Sequence, residues 1–447
     1  MLYTICNFCF PKVNSYHLFK GVNMLQESHV KFSNFLLSLS DAMDIAIPRI
    51  ASHQMRTAFI AWKLALAAGL SEDKVENIYL AALLHDIGAL SLEEKVQLHA
   101  GFEDVKPETH CILGEALFEL SPLLKPASTI VRHHHRSWED WNEPIGLDHV
   151  TGSQILYLAD EIERSILRKT YILHQIDKLN AKIAALADSQ IHADIVSLFF
   201  QLSKYEDFWL DLTSPRLYSL LLHFGPFRKI EIERNNISSI ASVFRHIVDF
   251  KSRFTATHST GVAECAVILA KSLGFTDAEV DDMRVAGLFH DLGKLAVPNS
   301  ILEKPGKLTK DEFNVIKQHT YFTYTVLTTI GGLGHIAEWA AFHHEKFDGS
   351  GYPFHIKADR INLGARIVAV ADIFTALSEK RLYRKDLQKN QIKDILKNQI
   401  VNNSLDARIV NIILYDYEEI SAKVKSRQEE SIELFEMKFS KIKNKRF

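Results

Sequence analysis

The chain has 447 residues, enough for two or three domains that each bury a core of their own. Its apolar (47%) and charged (24%) fractions are those of an ordinary globular protein, and the formal net charge of −3 argues against polymeric nucleic acid as the main partner. Four cysteines in so long a chain argue against a disulfide framework and favour a reducing cytoplasm. No apolar run approaches the roughly 18 residues that span a membrane.

The first helical region follows an N-terminal arm, residues 1–23, for which we expect no fixed structure. Apolar residues then recur at helical spacing over residues 24–68. Gly69 ends a helix, and Ser71 with its acidic neighbours predicts the cap of the next one. That helix leads to the sequence His85-Asp86-Ile87-Gly88. We therefore expect an all-α unit over residues 24–165.

The same construction returns after a constant offset of 205 residues, which relates His53 to His258 and His85 to His290. The same offset relates Gly69 to Gly274, Ser71 to Thr276, Asp86 to Asp291 and Gly88 to Gly293. Thr276-Asp277-Ala278-Glu279 predicts a capping box. Farther on, the correspondences are His110 with His319, His133 and His134 with His343 and His344, and Asp160 with Asp372. The chain is thus predicted to contain an internal duplication of a helical unit.

Three further segments complete the expected domain organisation. Residues 166–245 predict a helical connector, because Leu, Ile and Phe recur there every three to four residues. The second unit is expected over residues 246–390. Residues 391–447 interleave Lys and Glu with apolar residues, which is typical of exposed amphipathic helices. The fold class is therefore all-α, with two tandem helical bundles.

The second unit concentrates side chains that bind metals. His290-Asp291-Leu292-Gly293-Lys294 is followed by a lone His319 and then by the pair His343 and His344. Imidazole nitrogens combined with carboxylates suit Fe, Mn, Zn or Ni. Gly293 is expected to let the chain turn away after the His-Asp pair. Two adjacent divalent cations can activate a water and neutralise the oxygens of a phosphodiester.

The order HDLGK followed by HHEKFDGSGYP resembles the HD-GYP family of phosphohydrolases. The resemblance covers residues 245–385 strongly and residues 45–165 weakly. It implies that one metal takes His258, His290 and Asp372, that a second takes His319, His343 and His344, and that Asp291 bridges them. Some family members hold a third metal with a Glu at the position of Phe254. We therefore expect two divalent ions, with Fe or Mn favoured and Ni, Zn or Mg as alternatives.

The resemblance also implies how substrate is held. Lys294 stands where the family places a phosphate-contacting lysine, beside Asp291 as the catalytic bridging ligand. The loop that contains the GYP sequence would contribute Asp348, Gly351 and Tyr352, and the family's guanine- and phosphate-reading arginines correspond to Arg381 and Arg384. Two departures are Thr323, which replaces a family glycine and is expected to affect base preference, and Thr375, which replaces an aspartate.

The first unit retains the ligand types but not the residues around them. Its possible metal set is His53, His85, Asp86, His110, His133, His134 and Asp160. Ala89 stands where the second unit has Lys294, and the GYP loop is absent. Three interpretations remain open: a metal-binding unit that does not hydrolyse, a second active site with another substrate, and a metal-free scaffold.

The resemblance implies a cytoplasmic, metal-dependent phosphodiesterase of a bacterial signalling system. Its substrate would be a cyclic dinucleotide, cyclic di-GMP or 3'3'-cGAMP, hydrolysed to a linear dinucleotide. The alternatives are a phosphohydrolase acting on another nucleotide and a receptor or adaptor that binds a cyclic dinucleotide without cleaving it. A homodimer is expected only by analogy with other duplicated helical units, and the sequence does not identify a signalling partner.

Overall fold

The computed structural model describes residues 30–45, 51–89, 91–100, 108–251, 257–379 and 387–446. The described chain is almost entirely helical, as predicted. Its one ladder pairs β1 (Val30–Lys31) with β2 (Glu231–Ile232) in antiparallel register. Expectations for residues 1–23, Phe254, Arg381 and Arg384 lie outside the described residues. Within them, no helix is both long enough and apolar enough to cross a bilayer.

Seven helices build the first unit: α1 (Phe32–Asp44), α2 (His53–Ala67), α3 (Glu72–Leu83), α4 (Leu92–Ala100), α5 (Glu108–Phe118), α6 (Ser128–His133) and α7 (Asp148–Ser165). The His-Asp pair lies in a short 3-10 turn, His85–Gly88, between α3 and α4. The connector holds α8 (Ile176–Ala184), α9 (Ala193–Leu202), α10 (Glu206–Leu212) and α11 (Leu217–Phe224). It packs Phe199 and Trp209 into the core.

The second unit repeats this arrangement with α12 (Arg234–Lys251), α13 (His258–Ser272), α14 (Asp277–Phe289), α15 (Asn299–Leu302), α16 (Lys310–Ile330), α17 (Gly334–Ala341) and α18 (Leu363–Ser378). Its 3-10 turns include Leu292–Ala296 and Phe342–His344. The C-terminal helices are α19 (Lys389–Val401), α20 (Ala407–Tyr415) and α21 (Tyr417–Arg446).

The predicted duplication is present in the structure. Helices α2 and α13 begin at His53 and His258, have the same length, and pack against α3 and α14 respectively. The predicted capping box forms, because Thr276 accepts from the Glu279 N–H and Glu279 accepts from the Thr276 N–H. Ser71 stands at the predicted N-cap position, but its side chain makes no capping hydrogen bond.

The two units share one continuous hydrophobic core rather than standing apart. Helix α1 of the first unit packs against α16 and against the Leu292–Ala296 turn of the second. Asn34 in α1 donates to the backbone oxygens of Thr329 and Ile330 at the end of α16, at 2.8 and 2.7 Å. Helix α21 packs on α13 and on α5, so it also joins the two units. The His-Asp turn of the second unit is therefore supported by residues from both.

Candidate metal centres

The second-unit centre begins where α14 ends. Nδ1 of His290 is hydrogen-bonded to the Gly287 oxygen at 2.8 Å, which aims Nε2 inward. That Nε2 atom is buried, and no described group completes a well-formed hydrogen bond with it, although Oδ2 of Asp291 lies 3.2 Å away. A buried imidazole nitrogen with no hydrogen-bond partner is unfavourable unless another group binds it. This nitrogen is therefore well placed to bind a metal.

Gly293 is required by a close contact and not by a turn. A Cβ at this position would lie 1.9 Å from the backbone oxygen of His319 in α16, and Gly293 does not adopt a positive φ. The expected role of Gly293 in turning the chain was therefore wrong. Thr323 completes the junction, because its hydroxyl accepts from the Gly293 N–H at 2.9 Å and donates to the His290 oxygen at 3.2 Å. The hydroxyl of Thr323 is thus engaged by two backbone groups inside the protein.

The structure brings all seven candidate ligands of the second unit together in largely buried groups, and the ligand atoms within each group lie within 4.8 Å of one another. These groups are His258 with His290 and Asp372, His319 with His343 and His344, and His290 with Asp291 and His343. Asp291 lies between the first two, with Oδ1 3.4 Å from Nε2 of His319 and Oδ2 3.2 Å from His290. This is the arrangement that the family resemblance implies.

The electrostatics of the cluster favour metal ligation. Burial lowers the pKa of His319 to about 3 and that of His343 well below its usual range, so both rings are neutral and free to coordinate. Burial raises the pKa of Asp291, but its interactions with His290 and Lys294 outweigh this effect and hold that pKa well below the usual range. The Lys294 ammonium lies 2.5 Å from Oδ2 of Asp291.

Sequence reasoning missed Glu379, which orients His258. Nε2 of His258 lies 3.0 Å from Asp372, and Nδ1 lies 3.2 Å from Oε2 of Glu379. Burial opposes protonation of His258, but hydrogen bonds to Asp372 and Glu379 outweigh it and raise the pKa to about 10. Thr375 replaces the family aspartate, but nothing in the sequence marks Glu379 as its substitute.

The GYP loop is closed around Glu345, whose buried carboxylate accepts from the N–H groups of Phe354 and Ile356 at 2.7 and 3.1 Å. A Cβ on Gly351 would lie 2.5 Å from the His344 oxygen, so this glycine lets the loop pack directly behind the ligands. Tyr352 places its ring 4.9 Å from that of His344 and forms one wall of the centre. Asp348, in contrast, is exposed and accepts from the Ser350 N–H, so it does not join the cluster.

The first unit contains a matching cluster, with one correction to the predicted set. The pair beside His110 is His134 and His135, not His133 and His134. Nδ1 of His134 bonds the oxygen three residues earlier at 2.6 Å, as His343 does in the second unit. His133 instead packs half-buried against the ring of Trp141.

The remaining first-unit ligands also converge, but arginines surround them. His53, His85 and Asp86 form a buried group, and Oδ1 of Asp160 lies 3.3 Å from Nε2 of His53. Arg164 lies 3.4 Å from the other oxygen of Asp160. The His53 ring is held by Glu163 at 2.6 Å, which in turn binds Arg56 and Arg168. The first-unit centre therefore carries positive charge on its carboxylates, and no lysine stands at Ala89.

Comparisons with known proteins identify related domains and enzymes. Two models described as HD domain match residues 50–190 and 242–427. The chain is 29% identical over 406 residues to 3'3'-cGAMP-specific phosphodiesterase 1 of Vibrio cholerae, covering 88% of this chain and 93% of that protein. It is 38% identical over 159 residues to the cyclic di-GMP phosphodiesterase response regulator RpfG of Xanthomonas campestris pv. campestris, covering 35% of this chain and 40% of the relative.

A solved structure shares the fold over nearly the whole chain. The crystal structure of the cyclic GMP-AMP specific phosphodiesterase V-cGAP3 of V. cholerae superimposes with a TM-score of 0.59 at 23% identity, covering 90% of this chain and 98% of that one. The two HD models fall on the two halves of the duplication, and the GYP sequence lies in the second. The chain therefore carries two HD domains in tandem.

Proposed function

We propose that the second unit is a metal-dependent phosphodiesterase that hydrolyses a cyclic dinucleotide to a linear dinucleotide. The observation that carries this proposal is the convergence of seven candidate ligands, five of them buried, with the ammonium of Lys294 and the ring of Tyr352 at one place. Imidazole nitrogens combined with carboxylates suit Fe or Mn. When bound, two such ions supply Lewis acidity and an activated water.

The protein's own residues supply orientation and charge. Asp291 is kept ionised by its neighbours, so it can link the two ligand groups. Lys294 is poised beside it to neutralise negative charge that develops on the phosphodiester oxygens. Tyr352, backed by the closed loop, forms a rigid aromatic wall for a base or the sugar-phosphate ring.

We further propose 3'3'-cGAMP as the preferred substrate. Two relatives named 3'3'-cGAMP-specific phosphodiesterases 1 and 3 align over 88% and 82% of this chain and thus include both units. The cyclic di-GMP relative described above aligns over 35%. A similarity that extends through the first unit and the connector favours 3'3'-cGAMP over cyclic di-GMP.

The test is turnover of 3'3'-cGAMP and cyclic di-GMP, side by side, by purified protein loaded with Mn²⁺ or Fe²⁺ under reducing conditions. Products are resolved by chromatography. We expect a linear dinucleotide that disappears in the His290→Ala/Asp291→Ala variant. The matched His85→Ala/Asp86→Ala variant should reduce turnover without abolishing it. Tight binding of either nucleotide with no product would instead support a non-hydrolysing receptor.

For the first unit we propose metal binding without hydrolysis. The supporting features are the buried cluster that includes His134 and His135, the absence of a lysine at Ala89, and the guanidinium of Arg164 on Asp160. Without a lysine at Ala89, the first unit lacks the ammonium that we propose neutralises phosphate charge in the second unit.

A further inference from the structure

The two units hold the first histidine of their metal centres in different ways. In the first unit, Glu163 binds Nδ1 of His53 at 2.6 Å. Its other oxygen lies 3.3 Å from Arg56, which stands one helical turn after His53 on the same helix, α2. Both partners therefore come from inside the first unit.

In the second unit neither partner is available at the corresponding position. Thr375 replaces Glu163, and Gly261 replaces Arg56. The carboxylate comes instead from Glu379, one turn farther along the chain. Its second oxygen accepts from Nε2 of Gln428 at 2.7 Å. Gln428 belongs to α21, outside the repeated part of the fold.

Gly261 leaves the space that the side chain of Gln428 occupies. A Cβ at this position would lie 2.7 Å from Nε2 of Gln428 and 2.7 Å from Cγ2 of Thr375. The Gln428 amide also lies 3.3 Å from the oxygen of Thr257, the residue that precedes His258. The changes at Thr375 and Gly261 thus fit the presence of a side chain from α21.

We infer that Gln428 is a positioning residue for the second metal centre and that the C-terminal helix α21 completes this centre. The inference rests on the proposed function only in requiring that the second unit binds metal. A carboxylate behind a ligand histidine fixes the ring and raises its basicity. A neutral amide holds Glu379 in place without cancelling its charge, whereas the guanidinium of Arg56 offsets the charge of Glu163.

The location of α21 gives this contact a regulatory consequence. Helix α21 packs on α13, which begins with His258, and also on α5 of the first unit. Arg245 of α12 donates to Ser431, one turn beyond Gln428, and adds a further attachment. A shift of α21 relative to the first unit therefore moves Gln428, releases Glu379 and weakens the hold on His258.

The test compares Gln428→Ala with Glu429→Ala, a control at the adjacent exposed position of the same helix. Bound Mn²⁺ per chain is measured by equilibrium dialysis over a range of free Mn²⁺, and folding is checked by circular dichroism. We expect the second-unit affinity to fall in Gln428→Ala, but by less than the about 10- to 100-fold loss expected when Glu379, the direct partner of His258, is removed. Glu429→Ala should match the parent. Gln428→Glu keeps the side-chain size and should also bind weakly, because it opposes the charge of Glu379.

A double-mutant cycle separates positioning from mere packing. If Gln428 acts through Glu379, Glu379→Ala and Glu379→Ala/Gln428→Ala should bind Mn²⁺ equally. Equal affinity of the parent, Gln428→Ala and Gln428→Glu would overturn the inference, as would additive losses in the double variant. If His290→Ala/Asp291→Ala bound as much Mn²⁺ as the parent, the proposed function itself would fail instead.

Discussion

Replacing Gly293 by alanine tests how tightly the His-Asp turn must approach α16. The added Cβ would lie 1.9 Å from the His319 oxygen and 2.8 Å from the Thr323 nitrogen, both backbone atoms. Ordinary carbon contacts need about 3.4 Å or more, so the turn and α16 must separate by about 1.5 Å. Such a shift carries His319 away from His290 and breaks the hydrogen bond from Gly293 to Thr323.

The expected result is a fall in kcat of about 100-fold or more, because a misplacement of about 1 Å can have that effect. Overpacking should also lower the free energy of unfolding by about 1–3 kcal/mol. Gly88→Ala is the matched control, since its Cβ would lie 2.0 Å from the His110 oxygen in the first unit. It should destabilise the protein similarly and retain substantial turnover. Full activity in Gly293→Ala, or loss only in Gly88→Ala, would refute the reasoning.

Three other variants test the charges around the two centres. Lys294→Met removes the ammonium beside Asp291 and should lower kcat about 100-fold. The metal content, measured by elemental analysis, should be retained. An unchanged kcat would mean that Lys294 has no part in the mechanism. Burial lowers the pKa of Lys251 to about 7 in the folded protein. Between pH 7 and 10, Lys251 is therefore protonated in the unfolded chain and largely neutral in the folded one. The free energy of unfolding then rises with pH, by up to about 1.4 kcal/mol per pH unit. Denaturant unfolding of Lys251→Met should show a flatter rise, and an unaltered slope would contradict the assignment. Arg164→Ala frees an oxygen of Asp160 and should tighten Mn²⁺ binding by the first unit in equilibrium dialysis, whereas weaker binding would mean that the arginine supports the site.

The candidate ligands of the second unit could be predicted from the sequence because an unusual run of residue types marks them. His290 with Asp291, and His343 with His344, are adjacent pairs in a distinctive order. The helical periodicity and the repeat offset supplied the fold around them. The structure adds why Gly293 is needed, which depends on the distance to a helix that begins later in the chain.

The first-unit error has a simple physical origin. His133, His134 and His135 are consecutive, so residue type alone does not choose the pair. The choice depends on where α6 ends, since Nδ1 of His134 binds the Val131 oxygen and turns Nε2 toward His110. The spacing would have predicted the correct pair, because His134 follows His110 by 24 residues, as His343 follows His319.

Glu379 and Gln428 lay beyond sequence reasoning for a different reason. Neither occupies a position that the duplication or the GYP sequence marks, and their contact joins residues 49 positions apart. Only the packing of α21 on α13 brings the amide to the carboxylate. Outer contacts of this kind depend on tertiary geometry, so a motif locates the ligands without locating what holds them.

The contrast between the units lies in the placement of positive charge rather than in the ligands. In the first unit, Arg164 lies on Asp160, and Arg56 lies on Glu163, so the guanidinium groups compete with cations for carboxylate oxygens. In the second unit, the cation is Lys294, and it lies beside the bridging carboxylate, where phosphate charge would develop. A positive charge that pairs with a ligand carboxylate favours a centre that does not turn over substrate. A positive charge that faces the reacting phosphate favours turnover. The proposed division between metal binding in the first unit and catalysis in the second would then depend on where a few basic side chains lie.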